Sequence, residues 1–208
     1  MDIPERKDLL GANLQGVDLI ETNLQGANLQ GANLQEANLR GANLEEANLR
    51  GANLQEADLQ GANLQGAKLE EANLKKATFQ LANLHLANFK EANLQEADFT
   101  EANLQGANLV EANLVEANLQ GAHLQGADLT EVNLEGANLE KANLKWTYFI
   151  GANFKEANLQ EADLTEANLQ GARNLSLYQL SKVKTLHDTK LDEELLIQFK
   201  KKYPTLFE

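Results

Sequence analysis

The residues able to carry chemistry are few and badly spaced for it. Serine occurs only at Ser176 and Ser181, histidine only at His85, His123 and His187, and cysteine not at all. A thiolate metal site, a disulfide and a cysteine nucleophile are therefore excluded. The histidines lie far apart in the chain with no carboxylate at ligand spacing, so no metal centre is expected. His85 and His123 are expected as solvated residues on different faces, about two turns of the molecule apart. The glycines recur singly and never gather into a G-x-G-x-x-G phosphate loop. No catalytic, metal or cofactor site is expected, and the chain reads as a non-enzyme.

Charge narrows the partners. The formal net charge is −13, and residues 12–171 hold 23 acidic against 9 basic side chains. Such a surface repels nucleic acid and anionic membranes and favours basic proteins or plain solubility. The expected partner is thus a protein, with no direct nucleic-acid or membrane binding, and the expected state is a monomer or weak dimer. Met1–Lys7 is charged and no apolar run follows it. Neither a secretory signal nor a membrane span is expected, which makes the cytoplasm the expected location.

The elements that would position any site follow from one period. Leu or Phe occupies every fifth position from Leu9 to Leu169, 33 times in succession. Two residues before each stands a small residue, Ala except at Lys7, Val17, Thr22, Val132 and Thr147. Between them stands Asn or Asp, except at Lys68, Thr78, His123 and Tyr148. On an α-helix a step of five rotates about 140°, so the leucines would spiral round the axis. On one flat strand an odd period would alternate them between faces. Within each unit, however, Ala and Leu are two apart and point the same way in extended chain. Each pentapeptide is therefore one short side of a coil, and stacked coils would pair backbone to backbone with Leu over Leu inside. The Asn or Asp is placed to hydrogen-bond its own neighbouring backbone. Because the fifth position accepts Gly, Glu and Lys alike, a left-handed backbone is not expected to be obligatory there.

Runs such as Gly26-Ala27-Asn28-Leu29-Gln30 and Glu96-Ala97-Asp98-Phe99-Thr100 resemble the A(D/N)LXX motif of the pentapeptide-repeat proteins. The period alone leaves three or four units per turn open. The resemblance implies four, hence 20-residue coils in a right-handed quadrilateral β-helix, an all-β solenoid. About eight coils would span residues 12–171, with residues 1–11 as an N-terminal cap or degenerate first repeat and 172–208 as a C-terminal α-helical cap. The tail supports the last point. After Leu169 the phase slips by one residue at Arg173-Asn174-Leu175, and Ser176–Val183 suits a short helix. Leu186 and Leu191 keep a final five-residue step. Asp192 suits an N-cap for a helix from Glu193 to Lys202, ended by Pro204, whose Leu195, Leu196, Phe199 and Tyr203 would cover the last coil.

Surface candidates then follow from 20-residue coils. Glu71, Glu91, Glu111 and Glu131 would stack along one corner about 4.8 Å apart, flanked by Glu96 and Glu116. Neighbouring like charges at that spacing repel by about 1 kcal/mol in water. Trp146, Tyr148 and Ile150 would face outward near the far end, with Val110 and Val115 outward a coil or two earlier, as a protein-binding patch. Phe79, Phe89, Phe99, Phe149 and Phe154 would fill the core. The resulting expectation is a rigid scaffold or protein-interaction module of the kind abundant in cyanobacteria. The alternative, implied by resemblance to the gyrase-inhibiting quinolone-resistance branch of the family, is an acidic DNA mimic.

Overall fold

The computed structural model describes residues 8–208. Parallel bridges pair each ladder residue with the one 20 further on, from Asp8↔Asn28 through to Asn153↔Arg173. Bridges fall every five residues, so each 20-residue coil has four sides. The expected N-terminal segment 1–11 falls, through residue 7, outside the described residues.

Why this sequence closes such a coil is visible in the fate of each amide. The Leu N–H donates to the carbonyl 19 residues on, as Leu29 does to Asn48 O at 2.7 Å. The Asn N–H donates back to the previous coil, as Asn48 does to Ala27 O at 2.9 Å. The corner N–H donates forward, as Gly31 does to Arg50 O at 2.9 Å, and the Ala N–H closes the turn, as Ala32 does to Leu29 O at 3.0 Å. The amide left over bonds the Asn side chain two residues earlier, as Arg50 does to Asn48 Oδ1 at 3.3 Å. The unit thus satisfies all five of its donors, which a mostly buried backbone requires. The Asn amides also bond one another across coils, Asn53 Nδ2 to Asn33 Oδ1 at 3.2 Å and Asn73 Nδ2 to Asn53 Oδ1 at 3.0 Å.

The turn itself corrects one expectation. Every fifth-position residue from Gly11 to Gly171 has a positive φ, between 51° and 69°: 14 glycines, 14 glutamates, Lys76, Lys141, Leu81, Leu86 and Trp146. The left-handed corner is obligatory after all. For the 19 non-glycine residues it costs about 1 kcal/mol or more each, and it persists because the amide ladder on both flanks fixes the backbone. Interchange of Gly with Glu at this position reflects tolerated strain, not a relaxed backbone.

Inside, the Leu and Phe side chains from Leu24 to Leu169 are buried, as are the alanines from Ala27 to Ala167. Phe79 and Phe99 are 20 residues apart and stack with ring centroids at 4.8 Å and planes 1° apart. That distance is the coil rise, so the eight coils between the corners at 11 and 171 measure about 38 Å. Phe89 reaches in from the opposite side and meets both rings edge-on at 6.1 and 6.2 Å. Thr147, at a small-residue position, is buried and donates its hydroxyl to Leu124 O at 2.9 Å.

The stack ends differently from the sequence expectation in one detail. The offset between paired residues grows from 20 to 22, since Asp163 pairs with Thr185 and Asn168 with Lys190. The chain gains two residues here, not one, because a short helix α1 (Leu177–Leu180) is inserted in place of a coil side. Ser176 and Gln179 form a reciprocal cap on it. Helix α2 (Glu193–Lys202) follows the final coil step, in which Leu186 and Leu191 are buried. Asp192 stands at its N-cap but does not bond the helix; its carboxylate instead accepts the Gly171 N–H at 3.0 and 3.2 Å, closing the last corner. Phe199 is buried against the final coil, with Leu195, Leu196 and Tyr203 partly buried beside it.

Asp163 ties this end together. It is 7% exposed, bonds Thr165 N–H and Oγ1, and pairs with Lys184 Nζ at 3.1 Å and Lys145 Nζ at 3.6 Å. Burial pushes its carboxyl up, but the bonds from Thr165 and Lys184 and the charge of Lys145 outweigh this and hold it below the usual carboxylate range. A depressed folded value means the stabilisation is complete above about pH 4 and lost as pH falls through the folded value. Asp163→Asn is therefore expected to lower the urea midpoint at pH 7, with the gap to the parent narrowing as pH falls through the depressed folded value; urea unfolding from neutral to acid pH measures it.

Candidate interaction surfaces

Corner residues project from the tube, so their identities write its surface. The coil register places Gly11, Gly31, Gly51, Glu71, Glu91, Glu111, Glu131, Gly151 and Gly171 on one corner. The four glutamates form the expected row, and Glu96 and Glu116 lie on the neighbouring corner with Glu36, Glu56 and Glu156. Lys90 sits within the row, 3.1 Å from Glu91. Its ammonium pKa is raised by the hydrogen bond to Glu91, by that residue's charge, and by the charges of Glu111 and Glu71. Lys75 and Lys76 pair with Glu96 at 3.5 and 3.6 Å. The rows are thus acidic but locally compensated, and the potential of a bare carboxylate ladder is blunted at its middle.

Trp146, Tyr148 and Ile150 are 52%, 50% and 42% exposed. Trp146 is itself a left-handed corner residue, φ 59°. With Tyr148 it borders a cleft of about 350 Å³ completed by Glu166, Asn168, Asp188 and Lys190. Val110 and Val115 are only partly exposed.

Leu81 and Leu86, unremarked in the sequence, join these exposed residues. Both are left-handed corner residues, φ 59° and 58°, and they are 60% and 58% exposed. They flank one side of the tube. Leu86 shares its corner with Trp146, three coils further, and between them stand Gly106 and Gly126. Leu86 lies down over Gly106, its Cδ2 within 2.8 Å of where a Cβ there would stand, while the Gly126 corner is open. Leu81 bounds a second cleft of about 450 Å³ with Ile20, Glu21, Arg40, Gly41 and Gln60. The signal was available: among 33 corner positions only three carry a large apolar residue.

The side between Leu81 and Leu86 is also the place of two histidines. His85 lies in the same column as Gln105 and Gln125, and His123 in the column of Asn83 and Asn103. They are two coils apart, as expected, but on the same side and not on different faces, since both outward columns belong to one side. His123 is exposed, whereas His85 is half-buried with Nδ1 screened and unpartnered. Among the described residues no group of three or more His, Asp or Glu is placed to hold a metal ion. No helix among them is long and apolar enough to cross a membrane.

Comparison with known proteins gives the class. The Pentapeptide repeats family matches in eight copies, over residues 12–51, 67–106, 82–121, 107–145 and 142–173. The chain belongs to the pentapeptide-repeat family, whose fold is a right-handed quadrilateral β-helix. Among solved structures it is similar to HetL, a pentapeptide repeat protein involved in heterocyst differentiation regulation from the cyanobacterium Nostoc sp. strain PCC 7120. The two are 34% identical, covering 89% of this chain and 85% of that one, with a TM-score of 0.47. It is similar also to alr5209 of Nostoc PCC 7120, 31% identical over 50% of this chain and 84% of that one, TM-score 0.43. QnrB1, a plasmid-mediated fluoroquinolone resistance protein, is 18% identical over 95% and 97%, TM-score 0.43. None of the curated proteins matches.

If like charges in the corner row repel, removing them should help the fold. Glu71→Gln, Glu111→Gln and Glu131→Gln combined, with Glu91 kept for Lys90, are expected to raise thermal stability at 10 mM salt. The gain is expected to disappear at about 1 M salt, where the screening length is about 3 Å; calorimetry at the two ionic strengths checks it.

Proposed function

We propose that the protein is a non-enzymatic rigid rod that docks a protein partner on the side bounded by the Leu81 corner and by the corner that Leu86 and Trp146 share, with Tyr148 and Ile150 beside it. One observation carries this: all three corner side chains are large, apolar, exposed and in left-handed backbone. Each would be cheaper to the fold as glycine, both for the backbone and for water contact. Nothing in the packing accounts for them, and exposed aromatic and aliphatic anchors are what partner surfaces bury. The surrounding side carries little charge, only Glu45, Lys145 and Asp163 among its outward columns, which are otherwise mostly Asn and Gln. It suits an apolar contact. The core is filled by stacked Leu and Phe, which supports a role played on the surface.

A second reading, an acidic mimic of DNA that occupies a basic protein such as gyrase, draws on the glutamate corners at 71–131 and 96–116. Net charge over residues 12–171 is about one per 2.7 Å of rod against about one per 1.7 Å in duplex DNA. Lys90, Lys75 and Lys76 inside those rows weaken it. Under either reading we propose cytoplasmic location, a monomer or weak dimer, and no direct contact with nucleic acid or membrane.

The test is Leu81→Gly, Leu86→Gly and Trp146→Gly together. The variant is expected to gain roughly 1–3 kcal/mol of stability and to lose the proteins that crosslink to the parent in its native extract. A less stable variant, or an unchanged crosslinked set, overturns the proposal. Inhibition of gyrase supercoiling that survives this variant but not the glutamate-row variant would put the second reading in its place.

A further inference from the structure

The main-chain ladder has one gap. From Leu9 to Leu169 every core Leu or Phe amide donates to a carbonyl of the following coil except that of Leu159. From Gly11 to Glu166 every corner amide does the same except that of Glu156. The two are three residues apart on one side of the last full coil. The chain that should have covered them left its track after Asn174 to form α1, and rejoined the ladder at Lys182, whose carbonyl accepts the Glu161 N–H at 2.8 Å. The Ala157 carbonyl exposed by this departure is covered, since Gln179 Nε2 donates to it at 2.9 Å and to Phe154 O at 2.8 Å. The amides are not. The Gln179 side chain ties α1 to the coil through these bonds, and between α1 and the coil lies a cleft of about 530 Å³. Glu156, Ala157 and Leu159 line it on one wall and Asn174, Ser176, Tyr178, Gln179 and Lys182 on the other.

We propose that this cleft takes a short extended peptide of a partner protein as an added strand, with an acidic side chain of that peptide set against Lys182. Ladder register argues for main chain as the occupant. Elsewhere in the stack the same pair of amides takes two carbonyls three residues apart from an extended neighbour, as Gly136 and Leu139 take Lys155 O and Asn158 O. An open sheet edge with donors in register is bound by extended chain in the same way. Charge argues for the acidic residue. Lys155 at the cleft is neutralised by Glu135 at 2.6 Å and by the charge of Glu156. Lys182 makes no ion pair among the described residues; its Nζ rests over the Tyr178 ring at 5.0 Å. The 37 residues from 172 onward carry seven basic and five acidic side chains, against the strongly acidic body, so this end is where an acidic segment is least repelled. The site lies about four coils beyond Leu81, on the side adjoining the one between Leu81 and Leu86, and does not depend on the proposed function.

The experiment uses the full chain, isotope-labelled for amide NMR, and three probes. The first is a capped synthetic nonapeptide with this chain's own Gly106–Leu114 sequence, which holds the repeat conformation's residues and one glutamate. The second is the same peptide with its glutamate replaced by glutamine, and the third is sodium acetate. Without a probe, the Glu156 and Leu159 amides are expected to exchange with solvent roughly 100-fold faster than those of Gly136 and Leu139. With the first peptide both amides shift downfield and slow in exchange. The glutamine peptide is expected to bind more weakly to the parent, and Lys182→Glu to abolish the difference between the two peptides. Protection of both amides before any peptide is added would overturn the proposal. So would an absence of shifts at about 1 mM peptide, or equal shifts with acetate alone, which would make the cleft a carboxylate site.

Discussion

The whole molecule depends on turning a chain through a corner every five residues without breaking the amide ladder that runs along the stack. A residue in left-handed backbone makes that turn, and its own amide, with those of the Leu two residues before and the Asn two residues after, reaches carbonyls of the adjacent coils. The arrangement is cooperative in a simple sense. The ladder holds 19 non-glycine residues in a conformation they disfavour, and the turns so held keep the ladder in register. Asn contributes the remaining bond, accepting from the amide two residues on, and its side-chain amide donates to the Asn of the preceding coil. Leu and Ala fill a tube whose width their volumes set, so apolar burial follows from the turn geometry as much as it drives it.

That division of labour explains where function has room. Inward positions are committed to Leu, Phe and Ala, and the Asn position to the ladder. What remains free is the corner residue and the outward residue before it. Glycine there is the relaxed choice, glutamate adds charge at a backbone cost, and Leu81, Leu86 and Trp146 add apolar surface at the same cost. The tube thus behaves as a ruler on which side chains are displayed at 4.8 Å intervals along a corner, the spacing seen between Phe79 and Phe99. Like charge on adjacent rungs is bearable, particularly with Lys90 among Glu71, Glu91 and Glu111.

Much of this was legible in the residues. A period of five with Ala and Leu two apart requires short sides and corners, and the core residues and the limits of α2 follow from the pattern. Less legible was anything that depends on phase between coils. The left-handed corner was hidden because Glu and Gly alternate there, and propensity alone says Glu would avoid φ near +58°; tertiary bonds override the propensity. Asp192 looked like an N-cap because its own helix follows it, yet the nearer orphan donor is Gly171 N–H, 21 residues earlier in sequence. The gap at Glu156 and Leu159 has no local signature at all, since those residues belong to ordinary repeats and only the course of residues 174–184 exposes them. Leu81 and Leu86 were overlooked for the opposite reason: leucine is so common in the chain that two in the wrong phase do not stand out by type.

The central claim is that phase in units of five, not any particular repeat, specifies the fold. Deleting Gly41–Glu45 should rotate all that follows by one side and let it restack, with cooperative urea unfolding and protected Leu amides retained and the midpoint slightly lower. Deleting only Gly41–Leu44 should throw one coil out of register, with loss of cooperativity and of amide protection around the cut. Equal damage from the two deletions, or a four-residue deletion tolerated as well as the five, would contradict the account.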